Sequence, residues 1–309
     1  MAGSIVCVGD VMLDVLARLP GPLAFGSDTP APVRLAAGGS AANTACWLAS
    51  LGVAVLFAGR VGDDTSGRDA VATLQAAGVR TRVAVDPRLP TGACIVLVGP
   101  DGERTMIPSA GANDALTPAD LAGLIGPDDH LHLSGYSLLH EGSRTAARSV
   151  LAQAVVAGAG VSVDAASAAP IRAVGAEALL GWLPAGTLLI ANAAESAALI
   201  GQEPTGQVDR HLTRAVDRGL TGLVERGLIV VVKDGPGGAR IADRHGVRRV
   251  ATTPVPVLDS TGAGDAFAAG LLAAHQAGTE LDEAVRQGNL VAARALGSLG
   301  GRPARDDSE

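Results

Sequence analysis

The sequence predicts an α/β fold in which helices cover both faces of a mainly parallel central sheet. Short apolar runs bounded by Gly or Asp alternate with longer Ala- and Leu-rich stretches of helical period, as in consecutive β–α–β units. The 309 residues are enough for one large domain of this class. Because 48% of them are hydrophobic and 18% are charged, a disordered or collagen-like chain is excluded.

The apolar runs are the candidate strands of the main sheet, and the Ala- and Leu-rich stretches are the candidate helices. The predicted strands are Ile5–Val8, Val53–Ala58, His130–Leu133, Val161–Val163, Leu188–Ala191 and Leu228–Lys233. The predicted helices are Ser40–Leu51, Gly67–Ala77, Ser143–Ala157, Ala193–Ile200, Arg210–Arg226, Gly264–Gln276 and Leu281–Leu296. This order predicts a three-layer α/β/α sandwich. The polar tail from Arg302 is expected to fray.

Two regions interrupt the alternation and predict a small second sheet, which we call the lid. The first contains the strand-like pieces Asp14–Arg18 and Pro32–Leu35. The second contains Thr91–Val98 and Glu103–Ile107, joined by a Gly-Pro-Asp-Gly turn. We therefore assign residues 1–10, 38–90 and 108–309 to an α/β core and residues 11–37 and 91–107 to a discontinuous β lid.

One face of the predicted lid is apolar and would be exposed. Its alternating positions carry Val33, Leu35, Ile95, Leu97 and Ile107. An exposed apolar face and open strand edges favour pairing with a second copy, so the sequence predicts a two-fold homodimer assembled through the lids. The opposite face would close over a bound substrate and exclude water.

Charge and cysteine content exclude several other classes. A formal net charge of -7 argues against nucleic-acid binding, which depends on clustered Lys and Arg. The three cysteines lie far apart in apolar runs, which predicts buried thiols in a reducing cytoplasm rather than disulfides or a zinc site. We expect no signal peptide and no membrane partner, since no apolar run reaches the roughly 18 residues of a membrane helix.

The most informative motif is Asp259-Ser260-Thr261-Gly262-Ala263-Gly264-Asp265, which leads directly into an apolar helix. Glycines before a helix leave backbone N–H groups open, and the helix dipole adds positive charge, so the turn suits an anion such as a transferring phosphoryl group. Asp265 is either an N-cap or a general base beside that anion. The order of two acids, small residues and an apolar helix favours the general-base interpretation of Asp265. Its position near a helix N-terminus predicts an ionised carboxylate with a low pKa.

Other segments follow predicted strands and should meet at the same edge of the sheet. Gly9 to Asp14 follows the first strand, Asn192 to Glu195 follows a later one, and Lys233 to Gly238 follows the next. A second glycine turn, Gly38-Gly39-Ser40-Ala41-Ala42-Asn43, opens the first helix. A Gly-Gly turn alone is also common at an ordinary helix start. The Gly-Gly turn indicates a functional site only in combination with the other segments.

Together these motifs resemble the signatures of the PfkB (ribokinase-like) family of carbohydrate and nucleoside kinases. Both family signatures are matched, the Gly38-Gly39…Asn43 turn and the Asp259 to Asp265 run, and Asn192…Glu195 is similar to the family's Asn-x-x-Glu motif. The resemblance extends from Val8 to Pro303. It implies a ribokinase-like fold and ATP-dependent transfer of the γ-phosphoryl group to a hydroxymethyl group of a small carbohydrate. A P-loop kinase is excluded, since Lys233, the only lysine, lies outside any Walker A pattern.

The resemblance also implies roles for single residues. Asp265 would take the proton from the accepting hydroxyl. The amides of Gly262, Ala263 and Gly264 would form the anion hole for the γ-phosphoryl group. Glu195 would organise Mg²⁺ with Asn192, through water. ATP would be bound by Asn192, Lys233, Gly235, Gly238 and Asn289.

For the acceptor, the resemblance implies that Asp14 binds hydroxyl groups. The remaining acceptor residues would be Met12, Gly38, Gly39, Asn43 and Asp265. Met12 and Ser40 depart from the ribokinase pattern, which argues against ribose itself. Glu103 and Arg104 on the second lid hairpin are either solvated side chains or a site for an acidic sugar.

Two other functions remain open at this point. A nucleoside kinase on the same scaffold is the first alternative, although only Phe25 and Tyr136 are placed to stack on a purine. A non-catalytic sugar-binding protein is the second, since a fold does not guarantee chemistry. A monovalent cation such as K⁺ is a further candidate ligand, because four residues resemble the cation loops of ribokinases: Asp259, Thr261, Ser298 and Gly300. The alternative there is a glycine-rich helix C-terminus.

Overall fold

A computed structural model describes residues 3–100, 104–202 and 210–304, with only the backbone described for 210–215. These ranges contain thirteen strands and ten α-helices. The strands are β1 (Ile5–Val8), β2 (Met12–Arg18), β3 (Val33–Gly38), β4 (Val55–Gly62), β5 (Arg80–Asp86), β6 (Gly92–Val98), β7 (Arg104–Ser109), β8 (His130–Ser134), β9 (Gly160–Asp164), β10 (Leu188–Asn192), β11 (Ile229–Lys233), β12 (Ala239–Asp243) and β13 (Gly246–Val250). The helices are α1 (Ser40–Ser50), α2 (Thr65–Ala76), α3 (Tyr136–Leu139), α4 (Glu141–Ala157), α5 (Ala168–Val174), α6 (Ala176–Trp182), α7 (Ala193–Leu199), α8 (Arg210–Glu225), α9 (Ala263–Gln276) and α10 (Leu281–Leu296).

The main sheet has nine strands in the order β13-β12-β11-β10-β9-β8-β1-β4-β5. Strands β11 to β5 in this order pair in parallel, and β12 and β13 add an antiparallel edge. The predicted α/β class with a mainly parallel sheet is therefore confirmed. Because the strands are parallel, the carboxyl ends of β1, β8, β9, β10 and β11 lie at one edge, where ligands bind in open α/β sheets.

Two hydrophobic cores lie on the two faces of this sheet. In β1, Ile5 and Cys7 belong to the core under α1, α2, α9 and α10, whereas Val6 and Val8 belong to the core under α3 to α8. All four side chains are at most 1% exposed. Burial on both faces explains why the central strands are continuous apolar runs in the sequence. Cys46 and Cys94 are also buried, as the sequence predicts for all three cysteines.

A separate four-stranded sheet, in the order β3-β2-β6-β7, forms the predicted lid. One face carries the buried side chains of Leu16, Cys94 and Val96. On the opposite face Val33, Leu35, Ile95 and Ile107 are 45 to 67% exposed. Leu97 on that face is half-buried. Glu103 and the rest of the turn between β6 and β7 lie outside the described residues.

Some elements escaped sequence prediction. Strand β5 has the charged residues Arg80 and Arg82 exposed at a sheet edge, so it is not an apolar run. Helices α5 and α6 have seven residues each, which is too short for a clear helical repeat of apolar residues in the sequence. No helix in the described ranges is long and apolar enough to cross a membrane.

Candidate active site

The glycine turn at residues 262–264 begins helix α9 and presents open backbone amides. Gly262 is the N-cap and has a left-handed φ of 72°. A Cβ atom on Gly262 would lie only 2.4 Å from the carbonyl oxygen of Gly301, so a larger residue does not fit. The first N–H groups of a helix lack partners inside the helix. The Ala263 amide makes only a long contact of 3.4 Å with the Ser260 carbonyl.

Asp265 lies in the first turn of α9, and its carboxylate connects this helix to α1. Ser40 Oγ donates to Asp265 Oδ1 at 2.8 Å, and Asn43 Nδ2 donates to Asp265 Oδ2 at 2.9 Å. The N-cap position belongs to Gly262, so Asp265 is not the cap. The two glycine-turn motifs, more than two hundred residues apart, therefore meet at a single carboxylate.

The pKa of Asp265 is raised to about 7, chiefly because the surrounding protein removes water from the carboxylate. The nearby negative charge of Asp164 acts in the same direction, whereas the hydrogen bonds from Asn43 and Ser40 oppose the shift. This differs from the low pKa expected at a helix N-terminus. The burial and the neighbouring acid outweigh the helix dipole, whose effect is at most about 2 kcal/mol.

Asp14 and the Gly38-Gly39 turn form a second part of the site. A Cβ on Gly38 would lie 2.3 Å from Asp14 Oδ2, so the Asp14 carboxylate can pack against the backbone here only because this residue is a glycine. Burial raises the pKa of Asp14 to about 6, with a further contribution from Asp10. Met12 is opposite Gly38 in the β2–β3 pair and packs on the lid cluster of Leu16 and its neighbours. Gly39 is the N-cap of α1.

A charged cluster occupies the carboxyl ends of β9, β10 and β11. Lys233 Nζ lies 2.8 Å from Asp164 Oδ2, and a Cβ on Gly264 would be 3.1 Å from the same nitrogen. The pKa of Lys233 is raised despite burial, because Asp164, Glu195 and Asp265 surround it with negative charge. Burial and Asp164 raise the pKa of Glu195 to about 7, against the opposing effect of Lys233.

Asn192 and Glu195 hold each other in a capping box at the start of α7. Asn192 Oδ1 accepts from the Glu195 amide at 2.9 Å, and Glu195 Oε2 accepts from the Asn192 amide at 2.7 Å. Asn192 Nδ2 also donates to Glu195 Oε1 at 2.5 Å. These bonds fix the direction of the carboxylate, so the pair has a structural role whatever else it binds.

The other nucleotide candidates lie beyond Lys233. Gly235 begins a short 3-10 turn, Gly235–Gly237, and Gly238 is its C-cap, directly before β12. Asn289 is buried in α10, and its Nδ2 has no hydrogen-bond partner among the described residues. An unpartnered buried donor is costly, and a ligand acceptor would satisfy it.

Three of the four cation candidates come together. Asp259 accepts from the Thr261 amide at 2.9 Å, from Thr261 Oγ1 at 2.7 Å and from the Gly300 amide at 2.9 Å. Ser298 Oγ instead donates to the Ala295 carbonyl at the end of α10. The pKa of Asp259 is lowered by the bonds from Thr261 and Gly300, although burial opposes this.

Sequence reasoning missed three residues that organise the site. Asp10 accepts from the Ser40 amide and from Ser134 Oγ, both at 2.8 Å, and so holds the start of α1. Asp164 ends a buried strand at the carboxyl edge, a position that could have been found in the same way as Asn192. Arg302 donates to Asn43 Oδ1 and to the Gly38 carbonyl, both at 3.2 Å. The expectation that the chain frays from Arg302 is therefore wrong at that residue.

Comparisons with known proteins agree with this geometry. A family model described as "pfkB family carbohydrate kinase" matches residues 2–307. An ATP-dependent ribose-1-phosphate kinase of Halopiger xanaduensis is 32% identical over 303 residues, which cover 97% of this chain and 94% of the relative. A fructokinase of Escherichia coli is 30% identical over 303 residues, 97% of this chain and 93% of the relative.

Solved structures share the whole fold. The crystal structure of adenosine kinase from Sinorhizobium meliloti is 26% identical, has a TM-score of 0.84 and covers 99% of this chain and 97% of its own. The ribokinase-like fold implied by the sequence motifs is thus confirmed over nearly the full chain. The chain belongs to the pfkB family of carbohydrate kinases, which are phosphotransferases with an alcohol group as acceptor.

Proposed function

We propose that the protein uses ATP and Mg²⁺ to phosphorylate a hydroxymethyl group of a small carbohydrate. The observation that carries this proposal is the carboxylate of Asp265, held by Ser40 and Asn43 beside the open amides of the glycine turn. A base and an anion-binding turn at adjacent positions are what an in-line phosphoryl transfer requires.

In the proposed reaction the acceptor oxygen attacks the γ-phosphorus while the bond to the β-phosphate oxygen breaks and ADP leaves. The proton of the attacking hydroxyl goes to the carboxylate of Asp265. A pKa of about 7 makes this carboxylate a better proton acceptor than an ordinary Asp. The amides of Gly262, Ala263 and Gly264 would stabilise the equatorial oxygens, with Lys233 close by.

The acidic cluster fits a divalent cation bound together with the nucleotide. Asp164, Glu195 and Asp265 face a single ammonium group, Lys233. Burial is the main cause of the raised pKa values of Glu195 and Asp265, and the negative charge of Asp164 adds to it. Among the described residues no group of three His, Cys, Asp or Glu could hold a metal ion alone. Mg²⁺ suits such a site, because it takes oxygen ligands and keeps waters and phosphates. When bound, Mg²⁺ would neutralise charge on the phosphates.

The aromatic residues favour a sugar over a nucleoside as acceptor. Phe25 is 94% exposed, and Tyr136 lies against the ring of His140 with a centroid distance of 5.9 Å. Phe25 projects into solvent and Tyr136 is half-buried, so neither ring forms a prebuilt stacking platform for a purine. The carboxylate of Asp14 instead suits the vicinal hydroxyls of a sugar. The likeness to an adenosine kinase keeps a nucleoside as the second candidate.

We also propose that the lid closes over the sugar and that its outer face pairs with a second copy of the chain. Leu35, Val15, Ile95 and Ile107 lie side by side in register across β3, β2, β6 and β7. Three of these side chains are at least 45% exposed. Such a row forms an apolar band that a two-fold partner would cover.

The proposal is tested by coupling ADP release to a panel of pentoses, hexoses, sugar acids and nucleosides, with and without Mg²⁺ and K⁺. We expect Mg²⁺-dependent ADP release only when an acceptor with a free hydroxymethyl group is present. A KM for adenosine well below that of every sugar would replace the sugar with the nucleoside. ATP hydrolysis without transfer to any member of the panel would overturn the kinase proposal.

A further inference from the structure

A cavity of about 540 Å³ lies between the lid and the segment that precedes the glycine turn. Leu16, Arg18 and Arg34 line it from the lid, and Asp259 and Ser260 line it from the core. Leu16 is two residues beyond Asp14 in β2, so both side chains point to the same face and lie about 7 Å apart along the strand. The cavity therefore lies against the same lid face that carries Asp14, farther along β2.

Three arginines converge on this cavity, and among the described residues one carboxylate opposes them. Arg104 Nη1 donates to Thr261 Oγ1 at 2.9 Å, which places its guanidinium beside the glycine turn. Arg34 Nη2 lies 3.7 Å from Asp259 Oδ2, too far for a hydrogen bond. Arg18 has no ion-pair partner within the described ranges. Counted over the residues that the structure describes, the cleft has an excess of positive charge.

Asp259 can offset only one of these three positive charges. Its oxygens already accept from the Thr261 amide, the Thr261 hydroxyl and the Gly300 amide. Arg34 therefore keeps most of its donors free, and its side chain is 44% exposed toward solvent. A guanidinium offers a planar pair of donors that matches a carboxylate or a phosphate. The cleft therefore has the charge and the free donors to bind an anion, at a place separate from the glycine turn.

We propose that the acceptor sugar carries an anionic group, a phosphate or a carboxylate, that binds between Arg34 and Arg18. This inference rests on the proposed kinase function. The free hydroxymethyl group would lie at Asp265, the hydroxyls at Asp14, and the anionic group one side-chain repeat farther along the lid. Neutral sugars would lack the contact that fills the cleft.

The test compares matched neutral and anionic ligands in the wild type and in Arg34→Gln, Arg18→Gln and the double variant. The probes are ribose and ribose 1-phosphate, fructose and fructose 1-phosphate, and glucose and gluconate, each measured by calorimetry and by turnover. Arg82→Gln is the matched control, because Arg82 is an exposed arginine in edge strand β5 of the main sheet. Thermal melting checks that each variant is folded.

We expect at least one anionic sugar to bind about 10-fold or more tightly than its neutral counterpart. Arg34→Gln should reduce that preference about 10-fold and leave the KM for ATP and the affinity for neutral sugars unchanged. Arg82→Gln should change neither. Tighter binding of the sugar phosphates assigns a phosphate to the cleft, and tighter binding of gluconate assigns a carboxylate.

Equal affinity for neutral and anionic sugars would overturn the inference, as would a loss of ATP affinity in place of acceptor affinity. If neutral sugars are phosphorylated and the arginine variants change nothing, the kinase proposal stands and the anionic acceptor is wrong. If anionic sugars bind in an arginine-dependent way but no acceptor is phosphorylated, the cleft is correct and the kinase proposal is wrong.

Discussion

Asp265 is held by two donors that each occupy one of its oxygens, which leaves further lone pairs to accept a proton. Asp265→Asn keeps the shape of the side chain and removes the base. We expect kcat to fall by about 10² to 10⁴, with KM values for ATP and sugar close to wild type. Steady-state kinetics with Asp69→Asn, an exposed acid on α2, as the control provide the measurement. Near-normal turnover in Asp265→Asn would remove it from the base role.

The raised pKa of Asp265 also predicts the pH profile. A base must be deprotonated to accept the hydroxyl proton, and the deprotonated fraction rises with pH through about 7. We therefore expect kcat/KM to increase about 10-fold per pH unit below 7 and to level off above it. A profile recorded from pH 5 to 9 that stays flat would contradict the assignment. So would the same inflection in Asp265→Asn.

Lys233 compensates the buried charge of Asp164. Lys233→Met leaves that carboxylate without its partner, so the free energy of unfolding should fall by about 3 kcal/mol. The double variant Lys233→Met/Asp164→Asn removes both charges and should recover most of this loss. Urea unfolding of the two variants measures the difference. If the double variant is as unstable as the single one, packing of the lysine stem and not charge is responsible.

Single residues also mark the limits of sequence reasoning. The interpretation of Asp265 as the general base follows from its motif, but its pKa depends on burial and on Asp164, about a hundred residues away along the chain. Arg302 likewise acts through Asn43, 259 positions earlier. Composition and local pattern carry no signal for such contacts.

At the level of elements, the two glycines of the turn at residues 262–264 differ in how much space surrounds them. Gly262→Ala must adopt a left-handed φ and meets the Gly301 carbonyl, so we expect the free energy of unfolding to fall by about 1 to 2 kcal/mol or more. Gly264→Ala meets only the flexible end of Lys233, and its stability should stay near wild type. The KM for ATP should nevertheless rise, because the methyl group would lie at the proposed anion site. Urea unfolding and ATP kinetics measure both effects, and an unchanged KM in Gly264→Ala would contradict the anion-hole role of the turn.

The elements that the sequence predicts are those whose burial produces a regular pattern of apolar residues. Strands such as β1 are apolar on both faces and appear as continuous runs, whereas β5 at the sheet edge keeps polar residues and was missed. The lid strands alternate, so both their existence and their exposed face could be predicted. Short helices such as α5 are set by packing between longer elements, which no local pattern encodes.

For the whole molecule, the exposed lid face predicts a dimer that depends on apolar contact. We expect light scattering to give a dimer at tens of micromolar protein, and Leu35→Glu to give a monomer, because it buries a charge in the paired face. Val156→Glu is the control, since Val156 is 89% exposed on α4 of the core. A monomeric wild type would exclude lid pairing under these conditions.

The site is closed by contacts between the two ends of the described chain. In α1, Trp47 Nε1 donates a hydrogen bond to the Gly301 carbonyl. The Arg302 guanidinium donates to Asn43 Oδ1 in the same helix. A ribosome adds about 5 to 20 residues per second, so roughly 10 to 50 s separate the emergence of Asn43 from that of Arg302. The nascent chain consequently lacks these contacts until Arg302 has been synthesised. During that interval α1 has neither the Gly301 carbonyl nor the Arg302 guanidinium to complete its packing.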